Sequence, residues 1–213
     1  MKGLLIKDFC LLRNQKRILP IFLLLAIFFS SMHDDGFAFS FLTMMATILA
    51  GSTISYDEID HSQAYLFALP VDRKTYVREK FTLGGILTAA SILLAVICNA
   101  VRLDGQPDMQ GIDLRFMILL SVCEAIVLLS VMIPIRIRFG EDQGRIVLYV
   151  SFAVISLVAV LLTKAFPEAL GQIKELVSRL GTENTALLAG GVSCILLITG
   201  YLLGAHWIES KEF

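Results

Sequence analysis

Residues 56–80 form a charged segment between two long apolar runs of the chain. Acidic residues open this segment, basic residues close it, and an apolar patch that includes Tyr65, Phe67 and Leu69 lies between them. Apolar side chains flanked by charges are typical of a helix that docks into the groove of a partner protein. The alternative is a helix in the membrane interface, with lysines that extend to the head groups. Either way, 24 residues (57–80) are predicted to lie in water.

Glu124 is a second candidate, because it is the acid deepest within an apolar run, ten residues after Leu114 and ten before Pro134. An ionisable side chain at that depth is costly, and it marks a functional site by default. The carboxylate could bind a cation, carry a proton, or accept a hydrogen bond from Asn99 or a nearby serine. The sequence leaves these three roles open.

Motifs for catalysis are absent from the sequence. It contains no G-x-x-x-x-G-K-[S/T] phosphate loop and no G-x-S-x-G elbow. His33, His61 and His206 are far apart, and Cys10, Cys98, Cys123 and Cys194 form no C-x-x-C pair. We therefore expect neither an enzyme nor a metal site nor a disulfide, and no nucleic-acid partner.

The composition places the candidate residues in a membrane protein. The 213 residues are 56% hydrophobic and 17% charged, with a mean hydropathy of +0.76, whereas soluble domains carry about 25% charged residues. Six apolar runs are long enough, or nearly so, to cross a membrane as helices. These runs are residues 18–32, 37–56, 81–101, 114–135, 146–163 and 186–208. The chain is therefore predicted to be a single all-α transmembrane domain with six spans.

The basic residues predict the orientation of these spans. With six spans, 13 of the 18 lysines and arginines lie on the side that holds both termini and residues 57–80. The positive-inside rule places that side in the cytoplasm. Residues 1–15 are predicted to form an amphipathic interfacial helix, with Leu4 and Phe9 on its apolar face and Lys2 and Lys7 toward the head groups.

Turn residues predict where the remaining helices begin and end. Acids at 57–60 favour a new helix start, the bond before Pro70 ends that helix, and Asp72 caps the next one, which continues into the third span. Pro134 is predicted to end the fourth span, with Gly140 and Gly144 in turns after it. On the outer side, residues 167–180 are predicted to form a separate helix that Gly181 ends. In the last span, Gly200 and Gly204 have the spacing that permits close helix packing.

Four stretches resemble the membrane permease subunits of type-2 ABC transporters, in the short bacterial branch associated with peptide and drug export or self-resistance. They are MKGLLIKD at residues 1–8, STISYDE at 52–58, LPVDRK at 69–74 and RFGEDQGR at 138–145. The resemblance covers nearly the whole chain. It departs from the family at Asp72, where a small polar residue is more usual.

The resemblance implies a multi-pass protein of the bacterial cytoplasmic membrane that exports an amphipathic peptide, antibiotic or lipid-like molecule. Residues 57–69 would be a coupling helix seated in a separate ATP-binding subunit, which would hold ATP and magnesium. A second permease copy or paralogue would complete the transporter, and lipid would surround it. The rival interpretation is a stand-alone immunity protein, or a proton-linked carrier that uses Glu124.

Three sets of candidate residues are predicted from the sequence and this resemblance together. The predicted coupling residues are Asp57, Glu58, Tyr65, Phe67, Leu69, Pro70, Arg73 and Lys74. The predicted second cytoplasmic contact comprises Arg138, Gly140, Glu141 and Arg145. The predicted transport pathway passes Glu124, Met44 and Thr47. Methionine is flexible and polarisable, so such a lining would adapt to apolar cargo of varied shape.

Overall fold

The computed structural model describes residues 2–14, 20–21, 24–25, 27–28, 35–59, 72–102, 114–165 and 167–210. Its helices are α1 (Lys2–Asn14), α2 (Asp35–Ile59), α3 (Arg73–Arg102), α4 (Leu114–Ala165) and α5 (Pro167–Ser210). The described residues contain no β-strand. The predicted all-α class is therefore confirmed.

Four helical segments within the described ranges are long and apolar enough to cross a membrane. They are Phe37–Glu58, Arg73–Cys98, Leu114–Gly140 and Leu187–Ile208. These segments confirm the second, third, fourth and sixth predicted spans. A count of six is not confirmed. The first predicted span lies largely outside the described residues, and residues 146–163, which are helical and follow the break at Gly140, are not among these four segments.

α2 ends just before residues 60–71, and α3 begins just after them. α3 begins at Arg73 as predicted, and the carbonyl oxygen of Asp72 accepts hydrogen bonds from the backbone nitrogens of Thr75 at 2.9 Å and Tyr76 at 3.2 Å. The predicted helix start at Asp57 is wrong, because residues 57–59 form the last turn of α2. Within this turn, the Asp57 carboxylate is paired with Lys7 and Lys80.

The predicted break at Pro134 is also wrong. α4 continues through Pro134 and departs from helical geometry at Gly140, with φ 75° and ψ −165°. A proline costs a helix one backbone hydrogen bond, and packing against neighbouring helices compensates for this loss in membrane proteins. The Gly140 conformation is essentially restricted to glycine, so the chain bends there. The turn predicted at Gly140 is confirmed, whereas Gly144 is helical.

α5 replaces the predicted pair of an outer helix and a last span. Pro167 is its first residue, as predicted, but the helix runs through Gly181 to Ser210. Its 44 residues correspond to about 66 Å at 1.5 Å per residue, roughly twice the hydrocarbon thickness of a bilayer. A single glycine costs a helix only about 1 kcal/mol, which the helix-forming residues on both sides offset. The separate outer helix is therefore corrected to an extension of α5.

All five helices contribute to one apolar core. This core lies at the end of the bundle that contains residues 57, 73 and 137, which we call the basic end. It consists of Leu4, Ala50, Ile54, Tyr76, Val77, Leu129, Ile133, Ile137 and Ile208. A second core, built around Phe39, Leu42 and Ala95, packs α2 against α3 and α4 toward the opposite end. α1 is thus amphipathic and also packs on the bundle, because Leu4 is buried whereas Phe9 is exposed.

Gly200 allows α5 to approach α4 closely, which confirms the packing role predicted for this glycine. A Cβ atom at Gly200 would lie 2.5 Å from the carbonyl oxygen and 2.8 Å from the Cα of Ser130. Backbone atoms of a packed helix cannot move aside as a side chain can. The two helices would have to separate.

Gly200→Ala is therefore expected to destabilise the protein by about 1–3 kcal/mol, as other overpacked sites do. Gly191→Ala in the same helix is the matched control, because a Cβ there meets nothing within 4 Å. Thermal unfolding in detergent micelles measures both variants. Equal melting temperatures for the two would contradict the close approach of α4 and α5.

Candidate functional site

The basic end contains a group of buried polar side chains from α1, α2 and α3, which we call the charged cluster. α1 contributes two adjacent residues, α2 contributes two residues one turn apart, and α3 contributes three residues on its first two turns. The members are Lys7, Asp8, Thr53, Asp57, Tyr76, Glu79 and Lys80. The spacing of four between Thr53 and Asp57, and between Tyr76 and Lys80, places each pair on one face of its helix.

Lys80 lies at the centre of the charged cluster. Its ammonium group donates a short hydrogen bond to Asp8 Oδ2, forms an ion pair with Asp57 Oδ2 at 3.0 Å, and donates to Thr53 Oγ1 at 3.1 Å. Its side chain is 1% exposed, and the nitrogen lies 5.1 Å from the centroid of the Tyr76 ring. One lysine of α3 thus joins α1, α2 and its own helix through buried contacts.

Asp57 receives three donors from two other helices. Lys7 Nζ lies 2.5 Å from Oδ1, whereas Lys80 Nζ and the Tyr76 hydroxyl each lie 3.0 Å from Oδ2. Lys7 also pairs with Asp8 Oδ1 at 3.2 Å. Burial acts against the charge on Lys7, but the hydrogen bond and the charge of Asp57 outweigh it, so the pKa of Lys7 is raised above its ordinary value. Lys7 therefore stays protonated at neutral pH.

The charged cluster holds two ammonium groups against three carboxyl groups. Glu79 is the third carboxyl group: it is 1% exposed, its Oε2 lies 3.8 Å from Lys80 Nζ, and neither of its oxygens has a hydrogen-bond partner among the described residues. Buried charges are tolerated only when they are paired and hydrogen-bonded. The loss of one lysine from this cluster would therefore leave buried carboxyl groups without a paired cation.

Two further contacts link α4 to α2 near the charged cluster. Arg136 Nη1 donates to the carbonyl oxygen of Gly51 at 3.0 Å and to the Ser55 hydroxyl. The Glu58 carboxyl group lies against Gly140, where a side chain would collide with it. Glu58 immediately precedes residues 60–71, and Gly140 lies at the bend of α4. The two segments predicted to face the cytoplasm therefore meet in the structure.

Arginines at the basic end also tie α5 to the bundle. Arg73 Nη1 donates to the carbonyl oxygen of Ile208 at 3.0 Å, which provides a partner for a carbonyl in the last turns of α5. The Arg138 guanidinium lies 4.7 Å from the centroid of the Trp207 ring and 5.3 Å from that of Phe139. Contacts of this type with aromatic faces contribute about 0.5–1 kcal/mol at exposed sites.

Glu124 lies apart from the charged cluster, between α4 and α2. The Ser40 hydroxyl donates to its Oε2 at 2.5 Å. Two contacts therefore join α2 to α4: Ser40 to Glu124, and Gly51 to Arg136. They are eleven residues apart on α2 and twelve apart on α4, which corresponds to about 16–18 Å along each helix. The two helices thus lie side by side and run in the same direction. The hydrogen bond to a serine that the sequence offered as one option is confirmed.

The predicted coupling residues fall into three groups in the structure. Tyr65, Phe67, Leu69 and Pro70 lie outside the described residues. Asp57 is 2% exposed and faces the charged cluster, and Glu58 is half-buried against Gly140. Arg73 is half-buried by its bond to Ile208, whereas Lys74 is exposed. Asp57, Glu58 and Arg73, which flank residues 60–71, therefore also contact other helices of the bundle.

The other predicted site residues are placed only in part. Arg138 is exposed, and the side chains of Glu141 and Arg145 lie outside the described residues. Met44 is 45% exposed. Thr47 is buried and donates to the carbonyl oxygen of Met44 at 2.7 Å, so its hydroxyl has a partner on its own helix. The structure brings Met44 and Thr47 onto the same helix as Ser40, the partner of Glu124.

Sequence reasoning did not identify the charged cluster. It assigned Lys7 to the head groups, and this is wrong, because Lys7 pairs with Asp57 and Asp8. A signal was present: Asp8 follows Leu4 and precedes Leu12 at intervals of four, so it lies on the apolar face of α1. An acid on the apolar face of an interfacial helix needs a buried cation. The first turns of α3 supply one in Lys80.

Comparison with known proteins identifies the family. No curated protein and no solved structure matches the chain significantly. The family model described as ABC-2 family transporter protein matches residues 3–206, a range that includes nearly all of α1, the charged cluster, three of the four apolar segments and most of the fourth. The chain therefore belongs to the ABC-2 family of transporter proteins and is a type-2 ABC transporter permease, a multi-pass membrane protein.

Proposed function

We propose that this permease exports an amphipathic peptide, antibiotic or lipid-like molecule, driven by ATP hydrolysis on a separate ATP-binding subunit. The family supplies the general role of a membrane transport component that works with an ATP-binding partner. The cargo class and the direction of transport are our proposal. The basic end, with its lysines and arginines, then faces the cytoplasm in accordance with the positive-inside rule.

The observation that carries this proposal is the position of the charged cluster. Asp57 lies just before residues 60–71, and Tyr76 and Lys80 lie just after them. These three residues contact one another, and Asp57 and Lys80 also pair with Lys7 and Asp8 of α1. A force applied to residues 60–71 would therefore reach α1, α2 and α3 together.

The ATP-binding subunit would dock on residues 57–69, with Tyr65, Phe67 and Leu69 as its apolar contacts. The bend of α4 at Gly140 lies against Glu58, which supports a second contact with the same subunit through residues 138–145. In this arrangement, ATP and magnesium bind to the partner. Two permease copies and two ATP-binding subunits would make up the working transporter.

The test is reconstitution of the permease with its cognate ATP-binding subunit in lipid. Tyr65→Ala and Leu69→Ala are each expected to lower permease-dependent ATP hydrolysis at least about fivefold, since truncating an interface anchor typically costs more than 1 kcal/mol. Leu187→Ala is the control, because it truncates the same residue type at an exposed position at the start of the apolar segment of α5, away from the basic end. Unchanged hydrolysis and assembly in both docking variants would refute the coupling role of this segment.

A further inference from the structure

Glu124 lies near the middle of the membrane. Leu114, at the start of its span, is ten residues away, and Arg136, near the basic end, is twelve residues away. These separations correspond to about 15 and 18 Å along a helix, in a hydrocarbon layer of about 30 Å. Within the four described spans, it is the one carboxyl or basic side chain at this depth; the others lie near a span end.

The carboxyl group of Glu124 lacks a positive partner in the described part of the chain. Its one polar contact is the hydroxyl of Ser40, at 2.5 Å, and no ammonium, guanidinium or imidazole group pairs with it. A carboxylate has about four acceptor positions, so most of this capacity is unused. The group is only half-buried, which leaves room for another molecule to reach it.

A second polar group close to this position also lacks a partner. The Thr43 hydroxyl is fully buried and has no hydrogen bond, and Thr43 follows Ser40 by three residues on α2. Residues three apart are neighbours on a helix surface. One turn from Ser40, α2 therefore carries a further buried hydroxyl whose hydrogen-bonding capacity is unused within the described part of the chain.

Exposed apolar side chains lie one turn away from Ser40 and Glu124. Phe37 and Met44 lie one turn before and one turn after Ser40, and Leu120 lies one turn before Glu124. They are 54%, 45% and 52% exposed. A carboxylate bordered by exposed apolar surface complements a molecule with a positive group and an apolar body.

Other buried carboxylates of this protein show how their charge is compensated. Asp8 and Asp57 are each paired with Lys80 and Lys7. An isolated carboxylate at the centre of a membrane costs several kcal/mol, so Glu124 needs positive charge from outside the described chain. We propose that the cargo supplies it: Glu124 binds the cationic group of a lipophilic cation, with Ser40 and Thr43 as its polar neighbours. This inference builds on the proposed export function and narrows its cargo class.

The test uses the permease alone in lipid nanodiscs with radiolabelled tetraphenylphosphonium, a lipophilic cation, as the probe. Tetraphenylborate, an anion of nearly the same shape, is the matched probe, and empty nanodiscs give the background. We expect saturable binding of the cation, at least a tenfold weaker affinity in Glu124→Gln, and retained binding in Glu124→Asp. Ser40→Ala is expected to weaken binding two- to fivefold. Ser121→Ala is the control and leaves it unchanged, because its hydroxyl donates to its own helix.

Equal binding of the two probes by the native protein, or unchanged cation binding in a folded Glu124→Gln variant, would overturn the inference. Proton uptake by the permease alone that disappears in Glu124→Gln would overturn it in favour of a proton carrier. Because the assay contains no ATP-binding subunit, its failure leaves the proposed ATP-driven export intact. Conversely, cation binding without any stimulation of the cognate ATPase would support the site and count against the export function.

Discussion

Lys80→Met is expected to lower the free energy of unfolding by about 3–5 kcal/mol, which is the typical cost of removing one partner from a buried ion pair. Methionine matches lysine in length but leaves Lys7 as the remaining lysine of the charged cluster beside Asp8, Asp57 and Glu79. For a chain of this size, about 2–4 °C of melting temperature is lost per kcal/mol, so the melting temperature should fall by roughly 10 °C. Thermal unfolding of the purified permease in detergent micelles measures this fall.

Two matched variants separate the effect of burial on stability from the effect of losing a charge. Lys7→Met removes the other ammonium group, but that side chain is 32% exposed, so its pairs resemble surface ion pairs and contribute about 1 kcal/mol or less. Glu79→Gln removes the third carboxyl group and leaves two lysines and two aspartates in the charged cluster. It should be as stable as the native protein or more so. If Lys80→Met were no more harmful than Lys7→Met, the buried position of Lys80 would be refuted.

The same variants bear on coupling. The charged cluster joins α1 to the two helices that flank residues 60–71, so a weakened cluster should transmit less of the motion of the ATP-binding subunit. In the proposed mechanism, Lys80→Met would therefore keep ATP hydrolysis but reduce the cargo moved per ATP. Glu79→Gln, with its balanced charges, would retain coupling.

The spans were predictable because each depends on a local property of the chain. A helix that crosses a bilayer must satisfy its backbone internally and present about 20 apolar residues, and both requirements appear in the sequence of one segment. Four predicted spans accordingly reappear in the structure. The start of α3 at Arg73 was predictable for a similar reason, since Pro70 and Asp72 act on their immediate neighbours.

The charged cluster was not predictable in the same way, because it depends on the rotation of three helices relative to one another. Tyr76 and Lys80 share one face of α3, and Lys74 and Arg78 share another. Both faces are basic in sequence, yet the first is buried and the second is exposed. Only contact with Asp57 of α2 and Asp8 of α1 distinguishes them.

The predicted helix ends within α4 and α5 were wrong for a further reason. Pro134 and Gly181 are strong local signals for a helix end, but inside a helix the proline costs about 3 kcal/mol and the glycine about 1 kcal/mol. Packing of α4 against its neighbours offsets the first cost, and the helix-forming residues on both sides of Gly181 offset the second. Gly140 did mark a real break. The difference is that its backbone adopts a conformation that other residues avoid.

The bend at Gly140 leads to the second large effect. Gly140→Ala is expected to cost about 2–4 kcal/mol, because a residue other than glycine is strained by about 1–3 kcal/mol at φ 75° and ψ −165°, and the new Cβ also collides with a neighbour. That Cβ would lie 2.7 Å from Cδ of Glu58. Thermal unfolding should therefore show a melting temperature several degrees below that of the native protein.

Controls divide this cost into its two parts. Gly144→Ala, in a helical stretch where a Cβ finds its nearest neighbour at 3.7 Å, should be neutral or stabilising. Adding Glu58→Ala to Gly140→Ala removes the collision and leaves the backbone strain, so the double variant should recover part of the loss. If the double variant were no more stable than Gly140→Ala, the strain alone would account for the effect. The contact between Glu58 and the bend, which connects the start of the segment proposed to dock the ATP-binding subunit (residues 57–69) to α4, would then contribute nothing to stability.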